Sequence, residues 1–165
     1  MSPSPRLSLR AASLAATHEV AGALAALSRS GDVILLAGEM GAGKTAFAQG
    51  FGRALGVTEP ITSPTFTLVR SYDTGGPTLH HADLYRLDQL AEVADLALGE
   101  LAEFDGIVLV EWGDVVESTF GEHLVVRLDL LDGDTEARRI TIAATGPAWA
   151  RRWGVLCDAV KEHAE

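Results

Sequence analysis

Five consecutive aliphatic residues, Val33-Ile34-Leu35-Leu36-Ala37, run straight into Gly38-Glu39-Met40-Gly41-Ala42-Gly43-Lys44-Thr45. A helical pattern follows from Lys44 to Leu55 and stops at Gly56. The loop matches G-x-x-x-x-G-K-[ST], and strand, glycine-rich loop, helix is the order that a backbone phosphate cradle requires. Glycines let the chain wrap with its N–H groups turned inward, and the helix N-terminus adds a dipole favourable to negative charge. Lys44 supplies a compact ammonium that fits between β- and γ-phosphate oxygens, where a guanidinium fork would not. Lys44 and Lys161 are the lysines of a chain that otherwise uses Arg for positive charge. Thr45 offers its hydroxyl to a Mg²⁺ ion bridging the same phosphates.

The remaining pattern predicts an α/β domain around that unit. Arg6 to Arg10 alternates as a short strand, Ser13 caps a helix through Val20, Leu24 and Leu27, and Gly31 ends it. Thr65 to Tyr72 and Thr78 to Leu84 read as two strands joined around Gly75-Gly76-Pro77, which makes the sheet mixed rather than all parallel. Asp88 to Leu101 is helical in pattern. Ile107-Val108-Leu109-Val110, apolar on both faces, is a second buried strand ending at Glu111. Leu124, Val126, Leu128 and Leu130 alternate with polar positions, turn at Asp132-Gly133-Asp134 and return through Ile140 and Ile142 as an antiparallel hairpin. A helix from Pro147 closes the chain, and the lone Cys157 on it reads as a small buried apolar residue.

Several further residues carry chemistry in this arrangement. Glu111 follows four aliphatics, the place from which a strand-end acid reaches Mg²⁺ or its water; the alternative is a solvated carboxylate. Asp83 ends another strand and either orients an attacking water or the second shell of the metal, or is a structural carboxylate paired with Arg86. His80 and His81 are adjacent on a strand, point to opposite faces, and so cannot chelate one metal together. Thr62 to Thr67, rich in hydroxyls, is either a connector that senses the γ-phosphate or a plain turn around Phe66. Trp112 either responds to bound nucleotide or belongs to the core.

Composition narrows the function. The 165 residues fit one domain of 1–165, and 13 Lys plus Arg against 23 Asp plus Glu leave a formal charge of −10. Such a surface suits docking on a protein assembly better than tracking a phosphate backbone. The single cysteine fits a reducing, cytoplasmic setting, and no apolar stretch approaches the roughly 20 residues of a membrane span. The chain contains no Asn, so the guanine-reading Asn-Lys-x-Asp motif is excluded and ATP is the expected nucleotide.

Taken in order, GEMGAGKT (Gly38 to Thr45), SPTFTL (Ser63 to Leu68), HADLYR (His81 to Arg86) and VEW (Val110 to Trp112) resemble the TsaE (YjeE) ATPases over about residues 5 to 146. That resemblance implies a P-loop NTPase-like three-layer fold with a mixed parallel and antiparallel sheet. It also implies a role in forming threonylcarbamoyladenosine next to the tRNA anticodon. The group transfer would belong to a TsaD-type transferase paired with a TsaB-type protein. This ATPase would bind that pair, reach tRNA only through it, and hydrolyse ATP to reset it between turnovers.

Carried over residue by residue, the resemblance gives Lys44 and the loop from Gly38 through Glu39, Met40, Gly41, Ala42 and Gly43 to Thr45 and Ala46 as the phosphate site. Thr45 and Glu111 hold Mg²⁺, and Lys44, Asp83 and Glu111 support hydrolysis. Ser63, Pro64, Thr65 and Phe66 form a switch-like loop, Trp112 lies near the nucleotide, and Thr17 lies on the adenine side. The tail from Pro147 is outside the resemblance and has no assigned role. Two other readings stay open: a small-molecule kinase using the same P-loop, and a nucleotide-gated binding module in which ATP fixes the connector.

Overall fold

The computed structural model describes residues 5–39, 41–62, 69–83, 98–111, 121–131, 133 and 136–165. Within them the strands are β1 (Arg6–Ala11), β2 (Val33–Ala37), β3 (Val69–Tyr72), β4 (Thr78–Asp83), β5 (Gly106–Glu111), β6 (His123–Leu130) and β7 (Arg138–Thr145). The helices are α1 (Leu14–Leu27), α2 (Lys44–Leu55), α3 (Leu98–Glu103) and α4 (Trp153–Ala159). The seven strands form one mixed sheet in the order β1-β7-β6-β2-β5-β4-β3. Strand β2 is parallel to both β5 and β6, and β5 is parallel to β4, while β3 and β7 pair antiparallel with β4 and β6.

Two apolar layers explain the wrapping. On one face, Val20, Leu24, Phe47 and Phe51 of α1 and α2 pack on Ile34, Leu36, Leu109, Val126 and Ile142. On the other, Ala102 of α3 packs on Val33, Leu35, Val108 and Val110. Strands β2 and β5 therefore bury both faces, which is why each reads as an unbroken aliphatic run. Alternation in β6 and β7 likewise places Leu124, Val126, Leu128, Ile140 and Ile142 in the core. Among the described residues no helix is long and apolar enough to cross a membrane.

Ser13 caps α1 by accepting a hydrogen bond from the Ala16 amide at 3.1 Å. That helix stops at Leu27, with Ser28 as its C-cap, so Gly31 shapes the turn into β2 rather than the helix end. Gly56 closes α2 in the left-handed conformation. The expected helix from Pro147 is instead three pieces: a 3₁₀ turn at Pro147–Trp149, α4, and a second 3₁₀ turn at Lys161–His163. The Arg152 guanidinium occupies the Ala148 carbonyl that a continuous helix would offer to the Arg152 amide, which bonds the Trp149 carbonyl at 3.1 Å instead. Cys157 is half-buried rather than buried. Trp149, Leu156 and Val160 nonetheless join the core, so the tail is packed structure.

Candidate functional site

The loop after β2 and the last residues of β4 and β5 lie at the same end of the parallel strands, where open α/β sheets bind ligands. Register makes this concrete. Glu111 is opposite Leu36 on β2 and Asp83 on β4, so the two acids are neighbours on adjacent strands. Asp83 and His81, two apart on β4, share one side of the sheet with Glu111, while His80 faces the other way.

Gly38 and Gly43 have positive φ, at 140° and 105°. A Cβ on Gly38 would lie 2.4 Å from the Leu128 carbonyl oxygen, so the loop passes against β6 at a distance only glycine permits. The Lys44 ammonium donates to the carbonyls of Gly38 and Glu39 at 2.7 and 2.9 Å. These bonds hold it inside the curve of the loop that precedes it, where it is buried. Arg138 at the start of β7 braces the loop from outside, its Nε donating to the Ala42 carbonyl at 2.8 Å.

Thr45 donates its hydroxyl to Glu111, at 3.2 Å to Oε1 and 3.4 Å to Oε2. A hydroxyl and a carboxylate side by side are hard oxygen donors of the kind Mg²⁺ takes alongside phosphate oxygens and water. Among the described residues no group of three or more His, Cys, Asp or Glu forms a metal cage. Glu111 is buried and has a second partner, His81, whose Nε2 lies 2.6 Å from Oε2.

Beside the start of α2, Leu14, Thr17, Gly43, Ala46, Glu136 and Arg138 line a cavity of about 170 Å³. Thr17 and Ala46, assigned separately to the nucleotide from the sequence, thus share one wall with the loop. Met40, Ser63, Pro64, Thr65, Phe66, Arg86 and Trp112 lie outside the described residues. Two contributors escaped the sequence reading. His81 opens the HADLYR motif but carries no role of its own in the sequence reading beyond the rejected metal pair, and Arg138 sits 96 residues from the carbonyl it holds, with no local pattern to announce it.

A strand-end acid, a glycine loop holding a lysine and a mixed seven-stranded sheet together define a P-loop α/β protein. A family model described as "Threonylcarbamoyl adenosine biosynthesis protein TsaE" matches residues 11–140. A Bacillus subtilis protein named tRNA threonylcarbamoyladenosine biosynthesis protein TsaE is 37% identical over 147 residues, covering 89% of each chain. A Streptomyces coelicolor protein of the same name is 42% identical over 139 residues, covering 81% of this chain and 93% of that one. The crystal structure of Bacillus subtilis YdiB superposes with a TM-score of 0.75 at 31% identity, over 98% of both chains. The chain belongs to the TsaE family.

Proposed function

We propose that this protein is a Mg²⁺-dependent ATPase that serves the formation of threonylcarbamoyladenosine in tRNA by binding a TsaB–TsaD-type transferase assembly. The observation that carries the reading is the meeting of Thr45 and Glu111 beside the Lys44 loop. Backbone N–H groups of Gly41 to Lys44 and the Lys44 ammonium bind the phosphates, and Thr45 and Glu111 hold the cation and its waters. When bound, Mg²⁺ would withdraw charge from the β- and γ-phosphate oxygens as the terminal bond breaks. Asp83 orients the attacking water, a role supported by its register opposite Glu111 on the neighbouring strand. Thr17, Gly43 and Ala46 wall the cavity on the adenine side. The family resemblance supports a switch-like role for Ser63 to Phe66 and a nucleotide-side role for Trp112. The net charge of −10 favours a protein assembly as the direct partner, with tRNA reached through it. The names of the Bacillus subtilis and Streptomyces coelicolor relatives support the tRNA-modification role.

The test is phosphate release from Mg-ATP by the protein alone and with the TsaB–TsaD pair and tRNA, following modified tRNA in parallel. Release stimulated by the pair, together with repeated tRNA modification, is the expected result. Unchanged release with no effect on modification overturns it, and labelled γ-phosphate appearing in an organic product would identify a kinase instead.

A further inference from the structure

We propose that His81 is a positioning residue for Glu111, fixing the orientation of the carboxylate that faces the cation; this rests on the reading of Thr45 and Glu111 as the Mg²⁺ side of the site. Glu111 is 3% exposed and His81 is 0% exposed, so neither draws its hydrogen bonds from bulk water. An ionised buried carboxylate needs partners, and two are in reach. The Thr45 hydroxyl approaches both oxygens almost equally, at 3.2 and 3.4 Å, and does not select between them. His81 does select, with one contact of 2.6 Å to Oε2. That bond fixes the position of Oε2 and leaves Oε1 with the Thr45 hydroxyl as its partner among the described residues.

Between the two neutral tautomers, the other imidazole nitrogen favours one. Nδ1 of His81 is buried with no hydrogen-bond partner among the described residues. A proton there would be an unsatisfied buried donor, and Nε2 would then present a lone pair to a carboxylate. With the proton on Nε2 the ring donates to Glu111, and only a weak acceptor is left unpaired. The backbone holds the ring in place, because β4 and β5 run in parallel register from Thr78↔Gly106 to Asp83↔Glu111. Ligand-bearing side chains are commonly oriented in this way by a group that never touches the metal.

The probe is Mn²⁺ bound to the protein–ADP complex, with free Mn²⁺ counted by electron paramagnetic resonance, and ADP affinity measured separately in EDTA. His81→Leu should weaken Mn²⁺ binding at least about tenfold and leave cation-free ADP affinity unchanged. His81→Gln, which keeps an N–H near the Nε2 position, should recover most of the loss. Wild-type Mn²⁺ affinity in His81→Leu, or an equal loss in both variants, overturns the positioning role while leaving the ATPase reading intact. Wild-type protein that binds neither ADP nor Mn²⁺ overturns both. Should His81→Leu fail to fold, ¹⁵N-histidine NMR of the wild type decides: a proton on Nε2, in the neutral or the doubly protonated ring, supports the role and a neutral Nδ1–H ring overturns it.

Discussion

Asp32 and Arg152, 120 residues apart, are joined by two hydrogen bonds of 2.7 and 3.0 Å in a site where both are nearly buried. Asp32 immediately precedes β2, the strand that delivers the phosphate loop, and it also accepts from the Arg29 amide at 2.7 Å. Arg152 lies over the Trp149 ring, 3.8 Å from its centroid, and donates to the Leu27 carbonyl at 2.9 Å. The tail beyond the matched family region is thus tied to the base of the loop-bearing strand. Arg152→Ala should destabilise the fold by about 3–5 kcal/mol, because it strands a buried carboxylate. Urea unfolding measures this, and the Asp32→Ala, Arg152→Ala double variant should lose less than the sum of the singles.

A Cβ on Gly38 would meet a backbone carbonyl, and the φ of 140° is one that side chains rarely adopt. Neither partner can rotate away, since Leu128 is held in β6 between β2 and β7. Gly38→Ala should therefore cost about 1–3 kcal/mol and weaken nucleotide binding with it. Gly41→Ala makes the contrast: φ is 82° but nothing lies within 4 Å. Its smaller loss in the unfolding midpoint would separate clash from backbone strain, and equal losses would show that the close approach to β6 is unimportant.

Local periodicity carried most of this fold into view. The doubly apolar runs at Val33 to Ala37 and Ile107 to Val110, the alternation through Leu124 to Leu128, and the Ser13 and Gly56 caps each encode an element by near-neighbour physics. Loop spacing and the strand-end acid likewise pointed to residues that the fold does bring together, Thr45 and Glu111. Contacts closed by tertiary packing were not legible. His81 to Glu111 spans 30 residues, and Arg152 to Asp32 spans 120. The broken tail has the same cause, since the Arg152 side chain that interrupts it answers to a distant aspartate. Sequence spacing records which residues a helix or strand aligns, but not which strand ends meet.

Burial pushes the His80 imidazole below its ordinary value of 6.5, while its Nδ1 lies 2.7 Å from the Ser71 hydroxyl. A base whose folded-state value is lowered binds its proton later than the unfolded chain does. Its contribution is complete above 6.5 and is lost as pH falls from there towards the lowered folded value. Wild-type unfolding free energy should drop as pH is lowered through 6.5, and His80→Gln should show a smaller drop over the same interval. An identical drop in both proteins would assign the acid sensitivity to other groups.

Lys44, Thr45 and Glu111 should fail in different ways if they divide the work of one site. Lys44 is already turned into the loop on two carbonyls, so Lys44→Ala removes a charged donor without dismantling α2. Hydrogen bonds to charged groups are worth about 1.5–3 kcal/mol, which sets the expected loss in ATP affinity at roughly 10- to 100-fold. Glu111→Gln keeps a similar shape and should keep nucleotide, yet lose Mg²⁺-dependent phosphate release. Thr45→Ala removes the hydroxyl beside Glu111 and should raise the Mg²⁺ concentration needed for half-maximal release more than it lowers cation-free nucleotide affinity. Fluorescent-nucleotide titration with and without Mg²⁺, paired with phosphate release in the presence of the transferase pair, reads all three. Hydrolysis equal to wild type in all of them would refute the division of roles.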